Sequence, residues 1–269
     1  MAGEIEQPHL RPWATALRVS TTDGVVWFKA AQQELQFEAR VLELLVPLAP
    51  DLLPELVATR GAGGWLLLRD AGERAREHPI EWAPLLARYA RLQVAAAPYA
   101  DALLGAGALD NRPATLADEV EQLYPYLTAA TAERVRARLP ELREDLAVLA
   151  ASSLPPTIDH NDLHDANVFS RDGNARIIDW GDAAVTHPFM TLSVEEDEAA
   201  RPAYLAHFPG HEDELEIVLR HRILFRALGW RRVVHYEPDA HERIEERALM
   251  WLEGRELAEV RAAEGPGFR

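Results

Sequence analysis

Two regimes of hydrophobic patterning divide the chain. Up to about Leu68 the apolar positions follow the order strand, strand, helix, strand, strand; beyond it helical repeats dominate, broken by one β-rich island at residues 157–179. The runs 14–20 and 25–29 are β-type and are joined by Thr21-Thr22-Asp23-Gly24, whose Asp-Gly pair favours a tight hairpin. Residues 30–46 have helical periodicity and stop before Pro47. The runs 56–60 and 65–69 read as a second hairpin around Gly61-Ala62-Gly63-Gly64; these glycines form neither GxGxxG nor GxxxxGK[ST], so they read as a plain turn. Helices are predicted over residues 79–98, 115–127, 131–151, 212–235 and 239–263, with Gly265-Pro266-Gly267 as a tail.

Composition narrows the function classes. The chain has 269 residues, 48% hydrophobic and 27% charged, which is ordinary globular composition. A formal net charge of −16 argues against a nucleic-acid partner, which needs a basic face, and suits a cationic ligand. With no cysteine, disulfides, thiolate nucleophiles and cysteine-based metal centres are excluded. The start lacks the basic and apolar regions of a signal peptide, and the longest apolar stretches, at 41–49 and 65–68, are too short to cross a bilayer. The expectation is a cytoplasmic protein with no membrane partner. Lys29 is the only lysine; the other 27 of the 28 basic residues are arginine. The two side chains are not interchangeable where a compact ammonium is needed.

The β-rich island carries the chemistry. Residues 168–170 and 175–178 are β-type, with Asp172-Gly173 as the turn between them. Pairing outward from that turn sets Ser170 opposite Ala175, Val168 opposite Ile177 and Asn167 opposite Ile178, which leaves Asp179 beside Asn167 at the open end. An amide and a carboxylate converging there make a hard, oxygen-rich site of the kind Mg²⁺ takes when phosphates supply further ligands. Asp162, five residues before Asn167, is placed to face the same spot.

His160-x-Asp162-x-x-x-x-Asn167, followed by Ile177-Ile178-Asp179, resembles the catalytic segment of the aminoglycoside phosphotransferase family, whose fold is that of the protein kinases. The second position of the motif is Asn161, the kinase Asp-Phe-Gly triplet reads Asp179-Trp180-Gly181, and His164 also recurs in the small-molecule branch of the family. The resemblance implies an α+β, two-lobed fold: a small antiparallel-sheet nucleotide-binding lobe over residues 1–68 and a mainly helical catalytic and substrate-binding lobe over 69–269. It also implies ATP and Mg²⁺, with a small-molecule hydroxyl as acceptor. The family requires a lysine at a strand end and a glutamate on the next helix; Lys29 and Glu38 match, with Glu34 as the alternative glutamate. Carried over residue by residue, Lys29 would hold the α and β phosphates and Glu38 would orient it. Asn167 and Asp179 would bind Mg²⁺, and Asp162 would accept or align the acceptor proton. His160 and His164 would brace the loop. Trp27, on the face of Lys29, would stack on adenine, and the backbones of Arg69 and Ala71 would meet its edge.

The match departs at the beginning, where about a dozen residues precede Ala14 and Leu10-Arg11-Pro12-Trp13 stands where a glycine-rich phosphate cover is usual. A shortened small lobe is therefore expected, and with it the alternative of a degenerate kinase fold that binds without turnover. A third reading takes His160, Asp162, His164 and Asp179 as a metallohydrolase cluster, but His211-Glu212 and His241-Glu242 each lack the second histidine of HExxH. For the acceptor, the resemblance implies that the surface after Asp179 and the late helices line the site, with Asp182, Glu195 and Glu196 as candidate carboxylates for an amine, as in an aminoglycoside, another amino sugar or an amino alcohol. A neutral sugar also fits, residues 195–198 equally read as a solvated helix start, and Trp230, His235 and Tyr236 either line a cleft or pack.

Overall fold

The computed structural model describes residues 3, 5–11, 13–193, 198–237 and 239–255. Five antiparallel strands form the first sheet: β1 (Ile5–Arg11), β2 (Ala14–Thr21), β3 (Gly24–Ala31), β4 (Leu56–Arg60) and β5 (Trp65–Arg69), in the order β1-β2-β3-β5-β4. The sheet therefore has a strand before Ala14 that the hydrophobic pattern did not predict. β1 escapes a periodicity search because its sequence, IEQPHLR, is mostly polar and contains a proline. It sits at the sheet edge, and its pairing with β2 shifts register between Glu6 and His9, around Pro8. An edge position and an irregular ladder are where a residue without an N–H is tolerated, and both blunt the edge against further strand pairing.

The helix expected over 30–46 is shorter than its periodicity. Ala30 and Ala31 pair with Thr15 and Ala14 in the ladder, a 3₁₀ turn follows at Gln33–Leu35, and the helix α1 runs over Glu38–Leu45. Strand pairing outweighs the high helix propensity of Ala30 and Ala31. The displaced boundary makes Glu38 the first residue of α1, with Ala39, Val41, Leu42 and Leu45 fully buried beside it.

The chain divides into two compact units, one of residues 1–109, 157–185 and 197–207, the other of 110–156, 186–196 and 208–269. In the first unit, β6 (Glu73–Arg74) follows the large sheet, and α2 (Trp82–Ala96) and α3 (Ala100–Ala106) come next. A small sheet joins β7 (Leu109–Asp110), β8 (Thr157–Asp159) and β11 (Ala184–Thr186) in the order β7-β11-β8. β9 (Val168–Arg171) and β10 (Asn174–Ile177) form the hairpin read from the sequence, with Ser170 opposite Ala175 and Val168 opposite Ile177. Asp172 and Gly173 take φ of 52° and 75° at its turn, as a primed hairpin turn demands. α2 buries Leu85, Leu86, Tyr89 and Leu92, and its Gln93 donates to Ile158 O at 3.0 Å while accepting from Tyr204 Oη of α6 (Arg201–Leu205) at 2.6 Å.

The second unit is helical: α4 (Pro113–Glu121), α5 (Ala129–Ala150), α7 (Glu212–Val233) and α8 (Ala240–Glu253). A neutral histidine stitches three of them. His221, fully buried on α7, accepts from Trp251 Nε1–H of α8 at Nδ1 (3.0 Å), so its Nε2–H donates to Asp145 Oδ2 of α5 (2.7 Å). Among the described residues no helix is long and apolar enough to cross a membrane.

Two expectations follow. Gly72, between β5 and β6, has φ of +100°, and a Cβ there would meet Ser170 O at 2.2 Å, whereas Gly24 has φ of +104° with nothing within 4 Å. Gly24→Ala should cost about 1 kcal/mol of unfolding free energy and Gly72→Ala roughly 3 kcal/mol or more in urea titrations; equal losses would contradict the close approach. Burial holds the His221 imidazole below its ordinary value of 6.5, against the pull of Asp145. Below that value the unfolded chain binds the proton more readily, so this contribution is present above pH 6.5 and lost as pH falls. His221→Gln should flatten the stability slope between pH 6.5 and the folded value; an unchanged slope would rule out this coupling.

Candidate active site

The end of β3 and the start of α1 bring the lone lysine to a buried carboxylate. Lys29 Nζ lies 2.7 Å from Glu38 Oε2, and Glu38 is 3% exposed. The other oxygen of Glu38, Oε1, accepts the backbone N–H of Trp180 at 3.0 Å. Lys29 also donates to Asp179 Oδ1, so one ammonium sits between two carboxylates. Burial works against that charge, but Asp179 and Glu38 outweigh it and raise the Lys29 pKa above its ordinary value. Burial pushes the Glu38 carboxyl up, with the Lys29 ammonium and the Trp180 N–H pulling the other way. The side chain of Glu34, the alternative partner, lies outside the described residues.

The strand-to-helix turn after β10 aims Asp179. Its backbone is left-handed, φ 64° and ψ 63°, a conformation a non-glycine residue holds only where its surroundings impose it. Those surroundings are the buried Trp180, whose Nε1–H donates to Ile177 O at 3.0 Å, and Ile178, whose N–H donates to Asn167 O at 2.9 Å. The second bond sets Asp179 one residue beyond the pairing of Ile178 with Asn167.

Asp162 and Asn167 stand on the loop between β8 and β9. Asn167 Nδ2 donates to Asp162 O at 2.9 Å and to Asp162 Oδ2 at 3.0 Å. His164 Nε2 lies 3.3 Å from the same Oδ2, and His164 Nδ1 accepts the N–H of Ala166 at 3.1 Å. Asn161 is again left-handed, with φ of 63°. His160 is fully buried, its ring edge-on to Trp180 at 4.8 Å between centroids. Its Nε2–H donates to Ile178 O at 2.8 Å and its Nδ1 accepts the Asp162 N–H at 3.3 Å, so both nitrogens serve the loop. Burial lowers its pKa and keeps it neutral. These occupied nitrogens count against the metallohydrolase reading. The donor set suits a hard cation instead. Asn167 spends its NH₂ on Asp162, which leaves the carbonyl oxygen as its coordinating end, and Asp179 is half-exposed.

The remaining candidates are placed as follows. Trp27, on β3 two residues before Lys29, donates its indole N–H to Asp70 Oδ1 at 2.7 Å, and Asp70 also pairs with Arg171. Arg69 donates its backbone N–H to Glu55 O at 2.9 Å and its Nη1 to Asp23 O at 3.0 Å, so only its carbonyl is left for a ligand edge. Ala71 lies between β5 and β6, and Asp182 ends the 3₁₀ turn Trp180–Asp182. Glu195 and Glu196 lie outside the described residues. Trp230, on α7, is covered by the Arg243 guanidinium 4.6 Å from its ring centroid, which is packing.

Three residues that hold the site were not singled out in the sequence. Tyr89 of α2 accepts the His160 N–H at 2.7 Å and donates to the buried Asp159 at 2.9 Å. Asp70 orients Trp27, and Arg76 grips Asp165. Only Asp70 had a signal, its position directly after the last strand; Tyr89 reads as core, and nothing distinguishes Arg76 among the other arginines.

Comparison with known proteins bears on the fold and the family. Three solved structures share the fold at low identity. A macrolide 2′-phosphotransferase from Brachybacterium faecium is 18% identical over 93% of this chain and 91% of its own, with a TM-score of 0.59. A choline/ethanolamine kinase family protein from Mesorhizobium loti is 16% identical over 93% and 88%, with a TM-score of 0.64. A thermostable mutant of an aminoglycoside phosphotransferase, in ternary complex with ADP and hygromycin B, is 14% identical over 94% of each chain, with a TM-score of 0.61. No curated protein sequence matches the chain. The sequence model of the phosphotransferase enzyme family matches residues 17–210, most of the 269. With its kinase-like small antiparallel sheet and helical lobe, the chain belongs to that family.

Proposed function

We propose that this family member transfers the γ-phosphate of ATP, with Mg²⁺, to a hydroxyl of a small molecule. The observation that carries the reading is the Lys29 ammonium between Glu38 and Asp179, next to the Asp162–Asn167 pair. Phosphoryl transfer is mostly positioning and charge neutralisation, and each of these groups has a task in it. Lys29 takes the α and β phosphate oxygens, and Glu38 holds its ammonium in place. Asn167 and Asp179 hold the metal, which when bound neutralises phosphate charge. Asp162 receives the proton of the acceptor hydroxyl as its oxygen attacks the γ-phosphorus and the bond to the ADP leaving group breaks. Trp27 presents its ring to adenine, its indole N–H anchored by Asp70. Arg69 and Ala71 offer backbone groups to the adenine edge.

Charge supports a cationic acceptor, as do the aminoglycoside phosphotransferase and the choline/ethanolamine kinase family protein of similar fold. A net charge of −16 and carboxylates at Asp182, Glu195 and Glu196 favour a cationic hydroxyl compound: an amino sugar, an aminoglycoside or an amino alcohol. ADP release should be screened with Mg-ATP across such compounds and across neutral sugars. With the best acceptor, Asp162→Ala should lower turnover by roughly 10²–10⁴-fold while leaving the thermal transition in place. Undiminished turnover in that variant would remove Asp162 from the chemistry. A protein that binds nucleotide but turns over no acceptor would be the degenerate binding module.

A further inference from the structure

Arg76 belongs to no motif, yet the turn after β6 holds its guanidinium against the loop that carries Asp162. Its Nε and Nη2 both donate to Asp165 Oδ1, at 3.0 and 2.6 Å, and its backbone N–H donates to Asp165 O at 3.2 Å. Nη2 also stands 3.4 Å from His164 Nδ1, the nitrogen that already accepts the Ala166 N–H at 3.1 Å. A ring nitrogen facing two donors keeps its lone pair, so the proton of the neutral imidazole lies on Nε2. That nitrogen is the one 3.3 Å from Asp162 Oδ2. The opposite tautomer has a partner waiting, because Asp165 Oδ1 lies 3.5 Å from Nδ1. The guanidinium occupies that oxygen and denies it to the imidazole.

We propose that Arg76 is a positioning residue for phosphoryl transfer: by occupying Asp165 and facing His164 Nδ1 beside the Ala166 N–H, it helps hold His164 as the Nε2–H tautomer. His164 then gives Asp162 Oδ2 a second donor beside Asn167, and the two donors set the rotation of the carboxylate. With the tautomer reversed, an imidazole lone pair would face Oδ2 and turn the carboxylate away. This inference rests on the reading of Asp162 as the group that meets the acceptor hydroxyl.

Two readouts test it. Long-range ¹H–¹⁵N spectra of ¹⁵N-histidine protein at one slightly alkaline pH show which His164 nitrogen carries the proton, with His164→Ala assigning the signal. The wild type should show Nε2–H alone, and Arg76→Met should populate the Nδ1–H form beside it, with Arg76→Gln used if the methionine variant does not fold. In steady-state kinetics Arg76→Met should lower kcat about tenfold with little change in KM for ATP, and Arg76→Lys should recover part of it. The double variant with His164→Ala should be no slower than His164→Ala alone. An Nδ1–H wild type, an unmoved tautomer or additive losses would overturn the proposal. If the wild type turns over no acceptor, the phosphotransfer reading fails by itself, and with it the catalytic part of this inference; the spectra still decide whether Arg76 sets the tautomer.

Discussion

A single ammonium placed between two carboxylates governs the arrangement of the candidate active site. Lys29 comes from the sheet, Glu38 from the first helix and Asp179 from the far hairpin, 150 positions away in sequence. Removing one partner of a buried pair such as Lys29–Glu38 strands the other, a loss of about 3–5 kcal/mol in general, which ties the sheet to α1. The Glu38 carboxylate extends the constraint: its second oxygen takes the Trp180 N–H, which fastens the residue after Asp179 to α1. Sheet, helix and hairpin thus meet at one charge.

Around that charge the protein stores strain and supplies its own restraints. Asn161 and Asp179 both adopt left-handed backbone conformations, which cost about 1–3 kcal/mol each and persist only when neighbours over-determine them. The neighbours are identifiable. Tyr89 and Ile178 hold His160 by its backbone and its ring, and the buried Trp180 closes the turn at Asp179. The result is an oxygen-rich edge beside the Lys29 ammonium, held in place from both sides.

Much of this was legible because the chemistry is local. The Asp172-Gly173 turn alone sets the β9–β10 register, and counting from it brings Asp179 beside Asn167. A solitary lysine at a strand end and a glutamate on the next amphipathic helix needed only a distance, which the structure supplies. What was illegible depends on partners remote in sequence. β1 is a strand because β2 offers an edge, not because IEQPHLR favours one. Ala30 and Ala31 read as helix but are claimed by the ladder. Arg76 acts through a residue 89 positions away, so no spacing rule could single it out.

The central claim is that Lys29 and its two carboxylates form a site for the phosphates of a metal-bound nucleotide. Its most direct measurement is the thermal transition of the protein titrated with ATP, with and without Mg²⁺, run beside Lys29→Ala. A ligand that binds only the folded state raises the transition with concentration. The expected result is a rise that depends on Mg²⁺ and is lost in the variant. No rise at millimolar ATP, or an equal rise in Lys29→Ala, would contradict it.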